Sequence, residues 1–266
     1  MSVHSQYRVG LWHPYEKPMY GVLLNPYHPL ARGLVGCWLF NEGGGNIVYD
    51  SSGFMNHGTL GGGTAGCCPA WIIGKFVSAL DFDGSNDYVS ISSLNLGIRN
   101  TLAIWVKYSS SDTNHTIPLG SGENSRFYFY RYPSEMYFKL NQALSAYSYV
   151  APLDMWLFLV WVRNNTDADL YVNGEYHSTA TQSSWNGIDT LITEFGRAYA
   201  DPSLSFQGSL DCIMFFNQLL NEEEIWQLYT DPFCIFYHPT LEAELLYAAA
   251  PSAVSTPTLT LLGVGR

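Results

Sequence analysis

The side chains that could do chemistry in this 266-residue sequence are few and poorly spaced for catalysis. The seven histidines, His4, His13, His28, His57, His115, His177 and His238, form no His-Xaa-His or His-Glu-Xaa-Xaa-His pair, the spacings that bring two imidazoles to one metal. The five cysteines, Cys37, Cys67, Cys68, Cys212 and Cys234, show no Cys-Xaa-Xaa-Cys spacing, so neither a zinc site nor a closed disulfide framework is signalled. Free thiols in a reducing cytosol are the expected state. Glycan hydrolysis needs two carboxylates flanking one bond, and no Glu-Xaa-Asp-Xaa-Glu run offers them from a single strand. Glu222, Glu223 and Glu224 are consecutive and diverge, while Glu242 and Glu244 lie close to the C-terminal end. Nucleophile elbows, P-loops and dinucleotide fingerprints are absent. The expectation is a protein with no catalytic residues and no enzymatic activity.

Composition narrows the partners. A net charge of −11 with only 12 Lys and Arg argues against nucleic acid, whose backbone is bound through cationic side chains. Neutral ligands, cations and proteins remain. Hydrophobic residues make up 47% and charged residues 13%, roughly half the charge of an ordinary free domain, as expected of a chain whose surface is partly covered by partners. No run approaches the ~18 apolar residues that span a bilayer, so no membrane insertion is expected. The N-terminus has neither a continuous apolar core nor a small-residue cleavage site, so no secretory signal is read there. On that reading the sequons at Asn114 and Asn164 are chance matches.

The elements that must position any binding residues are strands. LVGCWLF (34–40), SALDF (78–82), YVSIS (88–92), TLAIWVKY (101–108), RFYFYRY (126–132), MYFKL (136–140), WLFLVWVR (156–163) and SLDCIMFF (209–216) have strand length and composition. In DLYVNGEYHSTA (169–180), Asn173-Gly174 predicts a two-residue hairpin, pairing Leu170, Tyr171 and Val172 with Tyr176, His177 and Ser178. One helix is expected from an Asn221 N-cap through Tyr229, stopping before Asp231-Pro232. The core should draw on Trp38, Phe40, Leu80, Phe82, Ile104, Trp105, Leu159, Trp161, Ile213 and Phe215, although adjacent pairs among these cannot all face one interior. Residues 1–33, dense in proline and aromatic rings, read as an extended N-terminal arm. Residues 34–230 read as one sandwich, and 231–266 as a C-terminal arm whose Leu/Val/Thr-rich end suits a docked strand.

GLVGCWLFNEGGGNIVYDSSGFMNHGTL (33–60), GKFVSALDFDGSNDYVSI (74–91) and GRAYADPSLSFQGSLDCIMFFNQLLNEEEIWQLY (196–229) resemble the laminin-G-like jelly rolls of the concanavalin A-like lectin/glucanase superfamily. The resemblance implies an all-β jelly-roll sandwich of two antiparallel sheets. It also implies a structural calcium at Asp50, Asn56 and Asp211, beside the alternative that these acids only build turns. Two functions follow. Laminin-G-like chains with tyrosine-rich arms resemble bacteriophage structural proteins, which implies a homo-oligomeric virion component, made in the host cytoplasm, contacting other virion proteins as a capsid decoration, head fibre or tail part. The other function is a lectin-type module binding cell-surface glycans by stacking Tyr128, Tyr130 or Trp185 on sugar faces. Strand alternation and the demands of a core compete for those rings.

Overall fold

The computed structural model describes residues 15–109, 116–121, 127–131, 135–140, 143–198 and 205–237. Up to Phe236 they belong to one compact unit, His13–Phe236; a second grouping, 1–12 with 237–266, lies outside the described residues except for Tyr237. The proposed C-terminal docking strand therefore falls outside the described residues.

Among the described residues, sixteen strands build two antiparallel sheets. The first holds β1 (Leu34–Trp38), β4 (Ala70–Gly74), β5 (Val77–Asp83), β7 (Arg99–Tyr108), β12 (Trp156–Asn164), β13 (Asp167–Val172), β14 (Glu175–Thr181) and β16 (Gln207–Phe216). Its order is β14-β13-β12-β7-β16-β5-β4, with β1 also paired to β16. The second sheet holds β2 (Ile47–Val48), β3 (Gly58–Leu60), β6 (Val89–Asn95), β8 (Thr116–Gly120), β9 (Phe127–Arg131), β10 (Met136–Leu140), β11 (Ala143–Tyr147) and β15 (Leu191–Phe195). It runs β11-β10-β9-β8-β15-β6-β3-β2. This is the expected jelly-roll sandwich. The strands not expected from sequence, β2, β3, β4, β8, β11 and β15, are at most five residues long, so their pairing partners and not their own patterns define them.

The inner faces meet in a core that includes nine of the ten expected residues; Trp105 is the exception. Trp105 points to the outer face of the first sheet, where it lies 5.1 Å edge-on from Phe76 and 5.8 Å from the stacked ring of Tyr229. Phe233 closes this second apolar layer, 5.2 Å from Phe76. Central strands such as WLFLVWVR are therefore apolar on both faces because helix α1 (Glu222–Thr230) and residues 231–236 cover the outside. The parity of β16 is set by a bulge. Its register to β7 shifts between Asp211 and Ile213, with Cys212 at φ 44°. One extra residue lets Leu210, Ile213 and Phe215 all face inward, although 210 and 213 have opposite parity on a regular strand.

Helix α1 begins where the sequence places it. The Asn221 side chain accepts from the Glu224 N–H (3.0 Å), and the Glu224 carboxylate accepts from the Asn221 N–H (2.8 Å), a reciprocal capping box. The hairpin also forms at Asn173-Gly174, both at positive φ (52° and 86°), as a two-residue turn of the mirror-image type requires. Its register differs from expectation: Val172 pairs with Glu175 and Tyr171 with Tyr176, then a bulge leaves His177 unmatched and Leu170 opposite Ser178. A Cβ on Gly174 would lie 2.8 Å from the Trp226 ring. Gly174→Ala is therefore expected to destabilise the protein by about 1–2 kcal/mol, through the left-handed backbone and the displaced Trp226; urea unfolding at an unchanged m-value checks this.

Candidate functional site

The N-terminal segment is no free arm within its described part. Leu30 is buried, the Asn25 N–H donates to Ile235 O (2.8 Å), and Leu24 bridges to Phe236. Its strongest anchor is Lys17. The ammonium donates to Leu39 O (2.6 Å), Ser78 O (2.5 Å) and Asp211 Oδ1 (2.5 Å), with both charged side chains essentially without solvent exposure. The second Asp211 oxygen accepts from the Phe76 N–H (2.9 Å). Burial pushes the Asp211 carboxyl above its ordinary range, and the Lys17 ammonium and backbone N–H groups pull against that rise.

This anchoring carries Tyr20 to a cleft. Asn41 Nδ2 donates to Pro18 O (2.9 Å) and Ser78 Oγ to Phe40 O (2.5 Å), so the chain leaving β1 is sewn to the N-terminal segment. Phe40 stands at φ 51°, a conformation that costs a bulky residue of order 1–3 kcal/mol, and the turn it makes buries both Leu39 and Phe40. Beyond it, Tyr20, Glu42, Gly44, Gly45, Asn46, Ile47 and Tyr49 line a cleft of about 390 Å³. Its aromatic wall is Tyr20 (58% exposed) against Tyr49 (37% exposed), ring centroids 5.0 Å apart at 61°, with His57 edge-on behind Tyr49 at 4.9 Å. Glycine at 44 and 45 leaves the floor open.

The polar groups of the cleft are held in place. Glu42 Oε1 accepts from the Tyr49 N–H (2.7 Å), while Oε2 is shielded and has no partner within the protein. Burial raises the Glu42 pKa above the usual glutamate value, partly offset by hydrogen bonds from backbone N–H groups. The neighbouring Tyr49 side chain, ahead of the Glu42 charge, raises the Tyr20 phenol above its ordinary pKa. Trp71 Nε1 donates to Gly45 O (3.0 Å) and fixes the loop. Glu42 is the sole carboxylate among the lining residues.

The residues expected to bind calcium are held in two networks without a common member. Asp50 is a hub for the turn after β2: Oδ1 accepts from Cys37 N (2.8 Å) and Ser52 N (2.9 Å), Oδ2 from Ser52 Oγ (2.8 Å) and Asn56 N (2.9 Å). Asn56 Nδ2 donates to Val35 O (3.0 Å). Asp211 faces the Lys17 ammonium. Among the described residues no cluster of three or more His, Cys, Asp or Glu could hold a metal. Asp50 and Asp211 thus do not fit a shared calcium ion as arranged, because protein donors meet the carboxylate oxygens it would need.

Of the expected sugar-stacking residues, one needs correction. Trp185 is fully buried, edge-on to Phe138 at 5.0 Å, with Nε1 donating to Ala143 O (3.1 Å); it is a core residue and has no face for a ligand. Tyr128 and Tyr130 sit in β9 opposite Lys139 and Tyr137, and their side chains lie outside the described part of the structure. Sequence reasoning missed Tyr20, Glu42, Asn46 and Tyr49, although the Gly43-Gly44-Gly45 run between an acid and an Asn was the available signal.

Comparison with known proteins gives one matching family model, described as the concanavalin A-like lectin/glucanases superfamily, over residues 83–226. Curated protein sequences give no match. Among solved structures, domain 4 of a GH43 extracellular arabinanase from Geobacillus stearothermophilus, in complex with arabinotriose, is similar at TM-score 0.59 and 18% identity, covering 74% of this chain and 98% of that one. The binding domain of Paraclostridial Mosquitocidal Protein 1 is similar at TM-score 0.62 and 14% identity, covering 77% and 53%. Trypanosoma rangeli sialidase matches at TM-score 0.55 and 15% identity over 76% of this chain and 33% of its own, so this chain corresponds to about half of the toxin domain and a third of the sialidase.

Because four donors converge on one carboxylate, Asp50→Ala should leave several buried N–H groups unmatched and cost about 3 kcal/mol. Chemical denaturation of the variant beside the unaltered chain measures it.

Proposed function

The chain belongs to the concanavalin A-like lectin/glucanase superfamily, and on that premise we propose that it is a non-catalytic, lectin-type module that binds a neutral saccharide in the Tyr20–Tyr49 cleft. The observation that carries this reading is the pair of exposed phenol rings packed edge-to-face at 61° beside an open glycine floor and one fixed carboxylate. A sugar ring presents a face of C–H groups that packs on an aromatic ring, and a rim of hydroxyls that needs acceptors and donors. Tyr20 and Tyr49 provide the first; the phenol hydroxyls and Asn46 provide the second, while Glu42 holds the Tyr49 backbone in place. The cleft volume falls in the ~300–1,000 Å³ range of small-ligand sites. A single carboxylate supplies no acid–base pair for hydrolysis, which favours binding over catalysis. The arabinotriose-bound arabinanase domain makes neutral oligosaccharides the first class to test.

A second reading is favoured by a different observation. Met19 (84% exposed), Leu23 (60%) and Tyr27 (86%) place large apolar side chains in solvent on the N-terminal segment. This supports a subunit of a larger homo-oligomeric assembly, such as a bacteriophage head decoration, fibre or tail component, that displays the sugar-binding cleft. Velocity sedimentation of the full chain should then give an oligomer, which changing Met19, Leu23 and Tyr27 together to Ser dissociates without lowering the melting temperature; a monomer at high concentration ends this reading.

For the cleft, calorimetric titration of the full chain with ligands chosen on a glycan array should show Tyr20→Ala and Tyr49→Ala each weakening affinity by about tenfold, ~1.4 kcal/mol. Binding should persist above the raised Glu42 pKa and fall as pH drops through it, because protonation weakens the Oε1 acceptor that holds the Tyr49 N–H and with it the cleft wall, and Glu42→Gln should flatten that dependence. Failure of the unaltered chain to bind any neutral saccharide would overturn the proposal.

A further inference from the structure

The misfit between Asp211 and a calcium ion has a specific cause. A buried carboxylate facing two backbone carbonyls needs a cation, since three oxygens of like partial or full charge repel one another and an unpaired buried charge is strongly unfavourable. Here the oxygens come from separate parts of the fold: Leu39 just beyond β1, Ser78 in β5 and Asp211 in β16. Each lies within 2.6 Å of Lys17 Nζ. An ammonium has three N–H donors, and this one finds three acceptors, so its number of bonds matches the number of oxygens. Calcium prefers six to eight oxygens and would leave much of its shell unfilled by this set.

We propose that Lys17 is a built-in substitute for a metal ion: its ammonium fills the oxygen cage of Leu39, Ser78 and Asp211, so that a covalently attached cation locks β1, β5 and β16 together. The N-terminal segment is then part of the fold, not an accessory to it. A tethered cation cannot be chelated, diluted away or exchanged, and stability becomes independent of the calcium concentration. Removing the ammonium with a small residue leaves a carboxylate, two carbonyls and space for water, a set that a divalent cation with retained waters can enter. The inference stands whether or not the Tyr20–Tyr49 cleft binds sugar.

The test uses the full chain. In the unaltered protein, neither EDTA nor added CaCl2 should move the melting temperature, and native labelling with an amine-reactive ester followed by mass spectrometry should leave Lys17 protected while Lys75 reacts. Lys17→Ala should lower the melting temperature on the order of 10 °C, the shift that follows loss of one partner of a buried ion pair in a chain of this size, and CaCl2 should recover part of that loss. Lys17→Met, which fills the space without charge, should be destabilised without calcium rescue. An EDTA-sensitive unaltered protein, Lys17 labelling as fast as Lys75, or a Lys17→Ala protein that calcium does not rescue would each overturn the proposal. The labelling and EDTA measurements decide it even if Lys17→Ala does not fold.

Discussion

The buried ion pair between Lys17 and Asp211 is the constraint from which the remaining arrangement follows. Asp211 lies on the outer face of a central strand, at the position just before the β16 bulge, without solvent exposure. A carboxylate there requires a charge partner, and the partner is 194 residues away in sequence. Breaking such a pair is typically more damaging than never having built it, because one charge is left stranded. The pair thus forces residues 15–18 onto the sheet, and the same ammonium draws Leu39 and Ser78 toward it.

The cleft inherits its geometry from that constraint. Pro18 receives the Asn41 side chain one residue after Lys17, and Glu42 and Tyr20 follow on the two segments so joined. Asp50 performs a similar task on the other side, fixing the turn after Tyr49 to β1 through Cys37. The Tyr20 and Tyr49 rings are therefore held between two carboxylate-centred networks, one charge-paired and one satisfied by N–H and O–H donors alone. Both carboxylates tie distant segments together through these contacts.

The outer layer explains the low surface charge without invoking partners for all of it. Helix α1, Phe76 and Phe233 roof the outer face of the first sheet over Trp105 and Phe158. Large apolar side chains remain in solvent at Met19, Tyr20, Leu23 and Tyr27 beside the cleft, and also at Met55, Ile73 and Val77 elsewhere on the surface.

The sequence by itself determined the all-β class, most long strands, the Asn173-Gly174 turn and the Asn221 cap, because alternation, turn chemistry and capping are properties of neighbouring residues. It also determined the jelly-roll family, through ordered glycine and aspartate turns. It could not assign Trp185, since a Trp after a polar run reads the same whether its ring meets Phe138 or solvent. Nor could it tell a metal ligand from an ion-paired aspartate at Asp211: the deciding cation sits in a proline-rich segment with no periodicity to place it. The short strands and the bulge at Cys212 were hidden for the same reason. Tertiary structure alone decided these points, because burial, charge pairing and strand register depend on residues brought together from distant parts of the chain.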